Sequence, residues 1–343
     1  MAGVVPDLHV GRKLGNGHFG EVFLGEDGVH GEVAVKVLSR QPNYQDDEWL
    51  MYKAEFLGEA QNLSKARHRN VVQVFSIEEL PDGNSIRFCM ALCSGGSLQG
   101  RFDAGPMPLI EVRKVATEVA IGLDALHVRG MLHRDIKPGN ILIDGAGVAL
   151  LGDFGLVTDK LILGYGSQAG YSDHIAYEVW IGNGTSAKTD IWALGMTLYR
   201  LLHGKSWYEE CPAPRATISN GGFADTLRWL PHIPKAWRRV IRRMLNDDPG
   251  LRYQTATQVL NALSGLPTPS WSTSVTPGLV RWEQLTGDRM KVVEWTRHSP
   301  RKHEWKAWSE PVGKAGRCKT LGKSDGVIGQ NQALKELDAF FCA

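Results

Sequence analysis

The side chains best suited to chemistry are carboxylates, an amide and a lysine that lie in two short strings. Residues 133–140 read His-Arg-Asp-Ile-Lys-Pro-Gly-Asn, and they place Asp135, Lys137 and Asn140 close together; Asp153 begins Asp-Phe-Gly further along. A carboxylate can orient or deprotonate an attacking hydroxyl, while carboxylate and amide oxygens are hard ligands suited to Mg²⁺. The two strings therefore predict transfer of a phosphoryl group to a hydroxyl.

A glycine-rich string precedes these residues. Gly15, Gly17 and Gly20 form G-x-G-x-x-G, and Val22 follows two residues later. Glycines let backbone N–H groups approach phosphate oxygens without interference from a Cβ atom. The string alone is weak evidence, since in a dinucleotide-binding fold it should open a helix. A β-like run follows it here, which favours a hairpin lying over phosphates.

A lysine on the third β-like run is the next candidate. Lys36 ends Ala-Val-Lys, and a lysine at this place can pair with phosphate oxygens. It needs a carboxylate to hold it. Glu59, in a stretch of helical composition, is the better placed partner, and Glu55 competes with it one turn earlier.

Two kinds of element must position these residues. Short β-rich runs broken by glycines come first, at 10–14, 22–25 and 33–38. One stretch of helical composition follows them, at 48–67. Helical patterns then dominate at 109–129, 189–203, 235–246 and 255–263.

In their order and spacing these strings resemble the eukaryotic-type Ser/Thr protein kinase family over roughly residues 8–266. The resemblance implies an α+β, bilobal fold, with an antiparallel N-terminal lobe and hinge in residues 1–93 and a helical C-terminal lobe in 94–266. It also implies ATP and Mg²⁺ as cofactors and a protein Ser/Thr hydroxyl as acceptor. Lys137 carries the Ser/Thr assignment, because tyrosine kinases usually have another sequence there.

The resemblance also implies roles for individual residues. The catalytic residues would be Asp135, Lys137, Lys36 and Glu59, and the Mg²⁺ ligands Asn140 and Asp153. Asp190 matches a buried helix aspartate of the family, and Arg252 matches the arginine that pairs with Glu178. The nucleotide would contact Gly15, Asn16, Gly17, Gly20, Val22, Ala34, Lys36, Met90, Ala91, Cys93 and Leu142.

The segment that ends at Glu178 departs from the family pattern. Tyr177 replaces a proline, and Tyr171 stands where a threonine is usual, unless an insertion places Gly166-Ser167 there. Arg134 beside Asp135 usually couples activity to phosphorylation of the activation loop. We therefore expect autophosphorylation at Thr158, Ser167 or Ser172; a loop that orders without modification is the alternative.

The C-terminal part resembles no family that we recognise. Residues 267–278 are rich in Pro, Ser and Thr and predict a linker, and residues 279–343 predict a small strand–strand–helix domain. Five of the eleven tryptophans lie beyond residue 270, among twelve Lys/Arg and eight Asp/Glu. Their interleaving is compatible with nucleic-acid binding. A small tryptophan core, or a module that binds a regulatory protein or folds back on the kinase, fits at least as well.

Bulk composition bounds these interpretations. A chain of 343 residues with 43% hydrophobic content suits two domains, and its five scattered cysteines suggest reduced thiols. Neither a signal peptide nor a membrane span is evident, so we expect a cytoplasmic protein. The alternatives to an active kinase are a nucleotide-binding pseudokinase scaffold, a kinase regulated through its C-terminal domain, and phosphorylation of a small molecule.

Overall fold

The computed structural model describes residues 8–17, 20–42, 44–51, 53–54, 57, 67–152, 172–210, 214–313 and 316–342. This part of the chain forms an antiparallel sheet, a helical body and a second antiparallel sheet with one helix. The α+β, bilobal architecture expected from the sequence is confirmed, together with a C-terminal α+β unit.

The N-terminal lobe is a twisted antiparallel sheet with strand order β1-β2-β3-β5-β4. Its five strands are β1 (Leu8–Gly17), β2 (Gly20–Asp27), β3 (Gly31–Ser39), β4 (Val74–Glu79) and β5 (Ser85–Ala91). Val33 and Val35 of β3 pack with Cys89 on one face, while Leu38 packs with Ile86 and Phe88 on the other. Alternating side chains of β3 therefore bury both faces of the sheet.

The helical stretch expected over residues 48–67 is partly described. Residues 46–51, 53–54 and 57 are helical. Trp49 is buried in this stretch, and its indole N–H donates to the Gly83 carbonyl at 2.9 Å, which ties the helix to the turn before β5.

The C-terminal lobe is helical around a small hairpin. The hairpin pairs β6 (Ile141–Ile143) with β7 (Ala149–Leu151). The helices are α1 (Leu98–Ala104), α2 (Leu109–His127), α3 (Tyr177–Trp180), α4 (Ala187–Tyr208), α5 (Pro214–Asn220), α6 (Phe223–Thr226), α7 (Lys235–Met244) and α8 (Ala256–Ser264). The four helices expected from periodicity are present, with ends displaced by a few residues.

Helix α4 lies at the centre of this lobe. Most of its side chains are buried, so its sequence is apolar around nearly the whole circumference. Ser186 and Thr189 cap its first turn reciprocally, with Ser186 N–H donating to Thr189 Oγ1 at 2.7 Å. Gly204, with φ 69° and ψ 166°, breaks the helix before its last turn.

The C-terminal unit differs from the expected strand–strand–helix. It is a five-stranded meander followed by a helix: β8 (Ser272–Thr276), β9 (Leu279–Thr286), β10 (Arg289–Ser299), β11 (Lys302–Pro311), β12 (Lys319–Lys323) and α9 (Gln330–Cys342). Strand β8 lies within the segment expected as a linker, because residues 272–276 pair with β9. Pro, Ser and Thr content did not indicate this pairing.

The C-terminal sheet and the helical lobe share one hydrophobic core. Trp271, Trp282, Trp295 and Trp305 are buried, and Trp295 packs on Trp207 of α4. The tryptophans thus form a core, and the sheet folds back on the helical lobe. None of the helices in the described part of the chain combines the length and apolarity needed to cross a lipid bilayer.

Candidate active site

Several predicted nucleotide contacts of the N-terminal lobe share one face of its sheet. Residues directly opposite each other in an antiparallel pair point to the same side. Lys36 lies opposite Val22, which itself lies opposite Gly15, and Ala34 lies opposite Met90. Lys36 is 7% exposed, so its ammonium group is withdrawn from bulk solvent.

The glycine-rich string forms the end of the β1–β2 hairpin. Gly17 pairs with Gly20 and Asn16 with Glu21, so a hairpin forms here, as the β-like run indicated. A Cβ atom on Gly20 would lie 2.1 Å from the Val37 carbonyl oxygen, which leaves no room for any other residue. This close approach holds the hairpin down on β3, next to Lys36.

The expected hinge links β5 to the helical lobe. Ala91 N–H donates to the Gln73 carbonyl at 2.9 Å, and Gly95 N–H donates to the Ile143 carbonyl at 2.9 Å. Burial, with a smaller contribution from Asp144, raises the pKa of the Cys93 thiol to about 11, so this cysteine is a neutral side chain. Leu142 lies on β6, close to Gly152.

The catalytic-loop residues converge on one carboxylate. Asp135 Oδ2 accepts a hydrogen bond from Lys137 Nζ at 2.8 Å and another from Asn140 Nδ2 at 2.6 Å. Asn140 Nδ2 also donates to the Asp135 carbonyl at 2.8 Å. All three side chains are buried. Because its nitrogen faces Asp135, the amide of Asn140 turns its oxygen the other way.

Asp190, at the start of α4, holds the backbone of this loop. Its carboxylate accepts the backbone N–H groups of His133 at 2.9 Å and Arg134 at 2.8 Å. His127 Nε2 lies 2.8 Å from the same carboxylate. Arg134 has φ 68°, and no other non-glycine residue in the described part of the chain has positive φ. Asp190 thus holds the strained conformation of the loop, and its predicted burial is confirmed.

His133 braces the loop against the strand that leads to Asp153. Its Nδ1 accepts the N–H of Asp135 at 3.3 Å, and its Nε2 lies 3.2 Å from the Gly152 carbonyl. These contacts require the proton on Nε2. Gly152 N–H in turn donates to the Asn140 carbonyl at 2.9 Å.

The segment before α3 is anchored in spite of its unusual sequence. Glu178 accepts two hydrogen bonds from Arg252, at 2.7 and 2.6 Å, and the predicted pair is present and buried. Tyr177 takes the first position of α3, where the family proline would also fit, and its ring lies near Gly221. The substitution therefore leaves the helix start and the ion pair intact.

A second set of buried polar contacts fixes the same segment from the side. Tyr208 O–H donates to Asp173 Oδ2 at 2.8 Å, and Arg200 donates to His174 Nε2 at 2.8 Å. Burial raises the pKa of Asp173, while burial and the nearby Arg200 charge hold the pKa of His174 well below its usual range. His174 is therefore neutral near pH 7.

Some predicted residues lie outside the described part of the chain. These are Glu59 and its competitor Glu55, Asp153, Thr158, Ser167 and Tyr171; of Ser172 only the backbone is described. Within the described residues, no group of three or more His, Cys, Asp and Glu side chains is placed to hold a metal ion. Of the two predicted Mg²⁺ ligands, Asn140 lies in the described part of the chain.

The structure adds supporting residues that the sequence did not single out. His127 reaches Asp190 across 63 positions, and Asn70 Nδ2 donates to the Ala149 carbonyl at 3.0 Å. Asp173 and Tyr208 meet across 35 positions. Such pairs have no signal in a single sequence, whereas His133 could have been found as the first residue of the catalytic-loop string.

Comparison with known proteins agrees with this geometry. The model of the protein kinase domain matches residues 8–263. The chain belongs to the protein kinase family. The match spans the sheet, the hinge, the catalytic loop and helices α1 to α8, and it ends before the C-terminal sheet.

Similar kinases come from several bacteria. The serine/threonine-protein kinase PrkC of Bacillus subtilis is 31% identical over 71% of the chain and 38% of the relative. The DNA damage-responsive serine/threonine-protein kinase RqkA of Deinococcus radiodurans is 32% identical over 76% of the chain and 39% of the relative. PknA of Corynebacterium glutamicum is 28% identical over 74% and 55%, respectively. The kinase thus spans about two fifths to just over half of these relatives' lengths.

Proposed function

We propose that this kinase transfers the γ-phosphoryl group of MgATP to Ser or Thr hydroxyls of proteins. The observation that carries the proposal is the Asp135 carboxylate, held by Lys137 and Asn140 in a buried loop. Phosphoryl transfer asks the protein mainly to position groups and to neutralise charge, and this loop supplies an oriented base beside a cation.

Each residue of the loop has a separate task in this proposal. Asp135 accepts or orients the proton of the attacking hydroxyl, and two donors to Oδ2 fix the direction of its carboxylate. The ammonium group of Lys137, 2.8 Å from that oxygen, supplies positive charge next to the transferred group. The same lysine supports a Ser/Thr acceptor through its family position.

The residues also suit ATP and Mg²⁺. Mg²⁺, when bound, would neutralise charge on the phosphates; the amide oxygen of Asn140 is a ligand type that it prefers, and Asp153 is the second proposed ligand. Lys36 would contact phosphate oxygens, held by Glu59. Val22, Ala34, Met90 and Leu142 would border the adenine, and the hinge backbone at Ala91 and Cys93 would bond to it.

Activation-loop autophosphorylation is part of the proposal. Arg134 stands beside the catalytic aspartate, and candidate acceptors are Thr158, Ser167 and Ser172. Mass-spectrometric mapping of active protein should find a phosphate in this window. An unmodified window in fully active protein would contradict this part alone.

Two further proposals concern the cellular location of the protein and the partner of its C-terminal unit. The free thiols of Cys89, Cys93, Cys318 and Cys342 support a cytoplasmic location. A nucleic-acid partner has little support, because Glu294 on β10 pairs with both Arg281 and Lys306 and so neutralises basic groups of the sheet. A regulatory protein remains the better candidate partner for the C-terminal unit.

The central test compares wild type with Asp135→Asn and Asp153→Ala. Each protein is incubated with γ-labelled ATP, Mg²⁺ and casein, and phosphorylated residues are identified by mass spectrometry. We expect label on Ser and Thr with wild type and at least about 100-fold less with either variant. Nucleotide binding without label in wild type would favour the scaffold, and a rate that rises with added RNA or DNA would favour nucleic-acid regulation.

A further inference from the structure

The last turn of α4 lies between the C-terminal sheet and the segment beside the catalytic loop. Gly204 interrupts the helix, so residues 205–208 are not held by an unbroken ladder of helical hydrogen bonds. Side-chain contacts must therefore fix this turn. Its two aromatic residues, Trp207 and Tyr208, make those contacts with different parts of the chain.

Trp207 faces the C-terminal sheet. Its ring centroid lies 6.1 Å from that of Trp295, and both rings are fully buried. The guanidinium group of Arg297 lies 5.6 Å from the Trp207 centroid, and its Nη1 donates to Glu210 Oε2 at 2.6 Å. Trp295 and Arg297, both on β10, therefore hold both the turn and Glu210, two residues beyond it.

Tyr208 faces the segment 172–178, which leads into α3. Its hydroxyl donates to Asp173 at 2.8 Å, and the Arg200 guanidinium lies 4.9 Å from its ring. Arg200 also donates to His174, the neighbour of Asp173. Tyr208 borders a cavity of about 210 Å³ as well, so one side of its surroundings is open and its position depends on the remaining contacts.

We propose that Trp295 and Arg297 are positioning residues for the protein substrate. They fix the position of the turn 205–208. Because Tyr208 in this turn bonds to Asp173, the position of the turn also fixes the segment 172–178 beside Asp135. The C-terminal sheet thus completes the protein-substrate site without touching it. This proposal rests on the proposed kinase function for its kinetic part, and on the contacts above for its structural part.

The test uses the full chain and a matched pair of variants. Arg297→Ala removes the contact with Glu210 and Trp207. Asp338→Asn removes a comparable ion pair between the C-terminal unit and the helical lobe, from α9 to Arg238 on α7, at 2.7 Å and away from the turn. Both variants loosen the unit, but only the first should reach the turn.

We expect Arg297→Ala to raise the KM for a protein substrate about 3- to 30-fold, as coupling through packed side chains does. The KM for ATP should stay within about twofold, and Asp338→Asn should change neither constant. Glu210→Arg should resemble Arg297→Ala, and the double variant Glu210→Arg/Arg297→Glu should recover the wild-type KM. Equal protein-substrate KM values in Arg297→Ala and Asp338→Asn would overturn the proposal.

Hydrogen exchange supplies a readout that needs no turnover. Backbone amides in residues 172–183 and 205–210 should exchange faster in Arg297→Ala than in Asp338→Asn. If wild type transfers no phosphoryl group, the kinase proposal fails while this measurement still decides the positioning contact. Identical exchange in the two variants would show that the sheet does not hold the segment.

Discussion

At the scale of single residues, the catalytic loop is organised around one oxygen atom. Asp135 Oδ2 receives two hydrogen bonds, from a cation and from an amide. Charge-assisted bonds of this kind fix the orientation of the carboxylate plane. A surface aspartate without such donors would not have a fixed orientation. The loop backbone is in turn held by Asp190, so the orientation of Asp135 depends on α4 as well as on its own neighbours.

Replacing Asp135 by Asn keeps the shape of the side chain and removes its basicity. We expect kcat to fall about 100- to 10,000-fold, since a positioned general base contributes that much. The affinity for ATP, measured by titration calorimetry, should change little because the nucleotide contacts lie elsewhere. A variant that retains most of its turnover would show that Asp135 is not the base.

The Glu178–Arg252 pair illustrates the opposite case, in which a buried charge pair is structural. Arg252 is fully buried, and its guanidinium also donates to the backbone carbonyls of Asn246 and Lys188, at 2.6 and 3.0 Å. Its charge is therefore compensated on several sides, and loss of the arginine would leave Glu178 buried without its cation.

Arg252→Gln should lower the free energy of unfolding by about 3–5 kcal/mol, measured by urea denaturation. The matched control is Arg101→Gln, which breaks a surface pair with Glu111 and should cost less than about 1 kcal/mol. Similar losses in the two variants would contradict the structural role assigned to the buried pair.

At the scale of elements, α4 connects most of the functional parts. Its first turn supplies Asp190 to the catalytic loop, and Arg200 reaches the segment before α3. Its last turn carries Trp207 and Tyr208. The break at Gly204 separates that turn from the rest, and a Cβ atom there would lie 2.4 Å from the Gly105 backbone. Only glycine suits this φ/ψ region and this space.

Gly204→Ala should therefore lower the free energy of unfolding by about 2–4 kcal/mol, through backbone strain and steric overlap. Gly100→Ala is the control. Gly100 lies inside α1, where an added Cβ atom would meet no neighbouring side chain or other element within 4 Å, and the change should raise the free energy of unfolding by about 0.5–1 kcal/mol. Thermal or urea unfolding measures both. Equal effects would show that the break is not required.

Two buried histidines predict how stability depends on pH. Burial lowers the pKa of His203, on α4, and of His232, before α7, to about 3. The unfolded chain binds these protons near pH 6.5, whereas the folded chain does so only near the lowered values. The contribution of the two neutral imidazoles to the free energy of unfolding is thus fully present above about pH 6.5. It falls as the pH drops toward 3, by about 1.4 kcal/mol per pH unit for each histidine.

Urea unfolding at pH 7.5, 6 and 5 tests this dependence. His232→Gln should remove close to one proton from the slope below pH 6.5. His298→Gln, at an exposed position on β10, is the matched histidine substitution with which the His232→Gln slope is compared. A wild-type stability that is flat down to pH 5 would contradict burial of these imidazoles in neutral form.

At the scale of the whole molecule, the C-terminal sheet is part of the folding unit of the helical lobe. Trp207 and Trp295 pack across the boundary, Arg238 pairs with Asp338, and His232 Nε2 lies 3.1 Å from Thr273 Oγ1. Apolar side chains of both parts belong to one continuous core. Domains that touch through small polar interfaces would instead unfold separately.

We therefore expect the helical lobe and the C-terminal sheet to unfold in one calorimetric transition. A chain ending at residue 266 should unfold at a clearly lower temperature than the full chain, because the truncation exposes the Trp207 ring. An unchanged melting temperature in the truncated chain would show that the sheet is an independent domain.

The catalytic strings were accessible from sequence because each is local. His-Arg-Asp-Ile-Lys-Pro-Gly-Asn places Asp135, Lys137 and Asn140 within two turns of chain, so their contacts follow from spacing. The Glu178–Arg252 pair was accessible for another reason, since family resemblance supplied the long-range partner. Apolar periodicity similarly indicated the long helices, whose burial repeats along the chain.

What the sequence determined by itself, then, is the kinase fold and the grouping of the residues proposed to carry the chemistry, because short-range spacing and periodicity encode both. Tertiary structure alone decided the fold of the C-terminal part and its packing against the helical lobe. The Ser/Thr-rich run forms a strand because it pairs with β9. The tryptophans form part of a core because Trp295 packs against Trp207 of α4. Contacts such as Tyr208–Asp173 depend on how distant elements meet in space, and packing of that kind leaves no periodic trace along one chain.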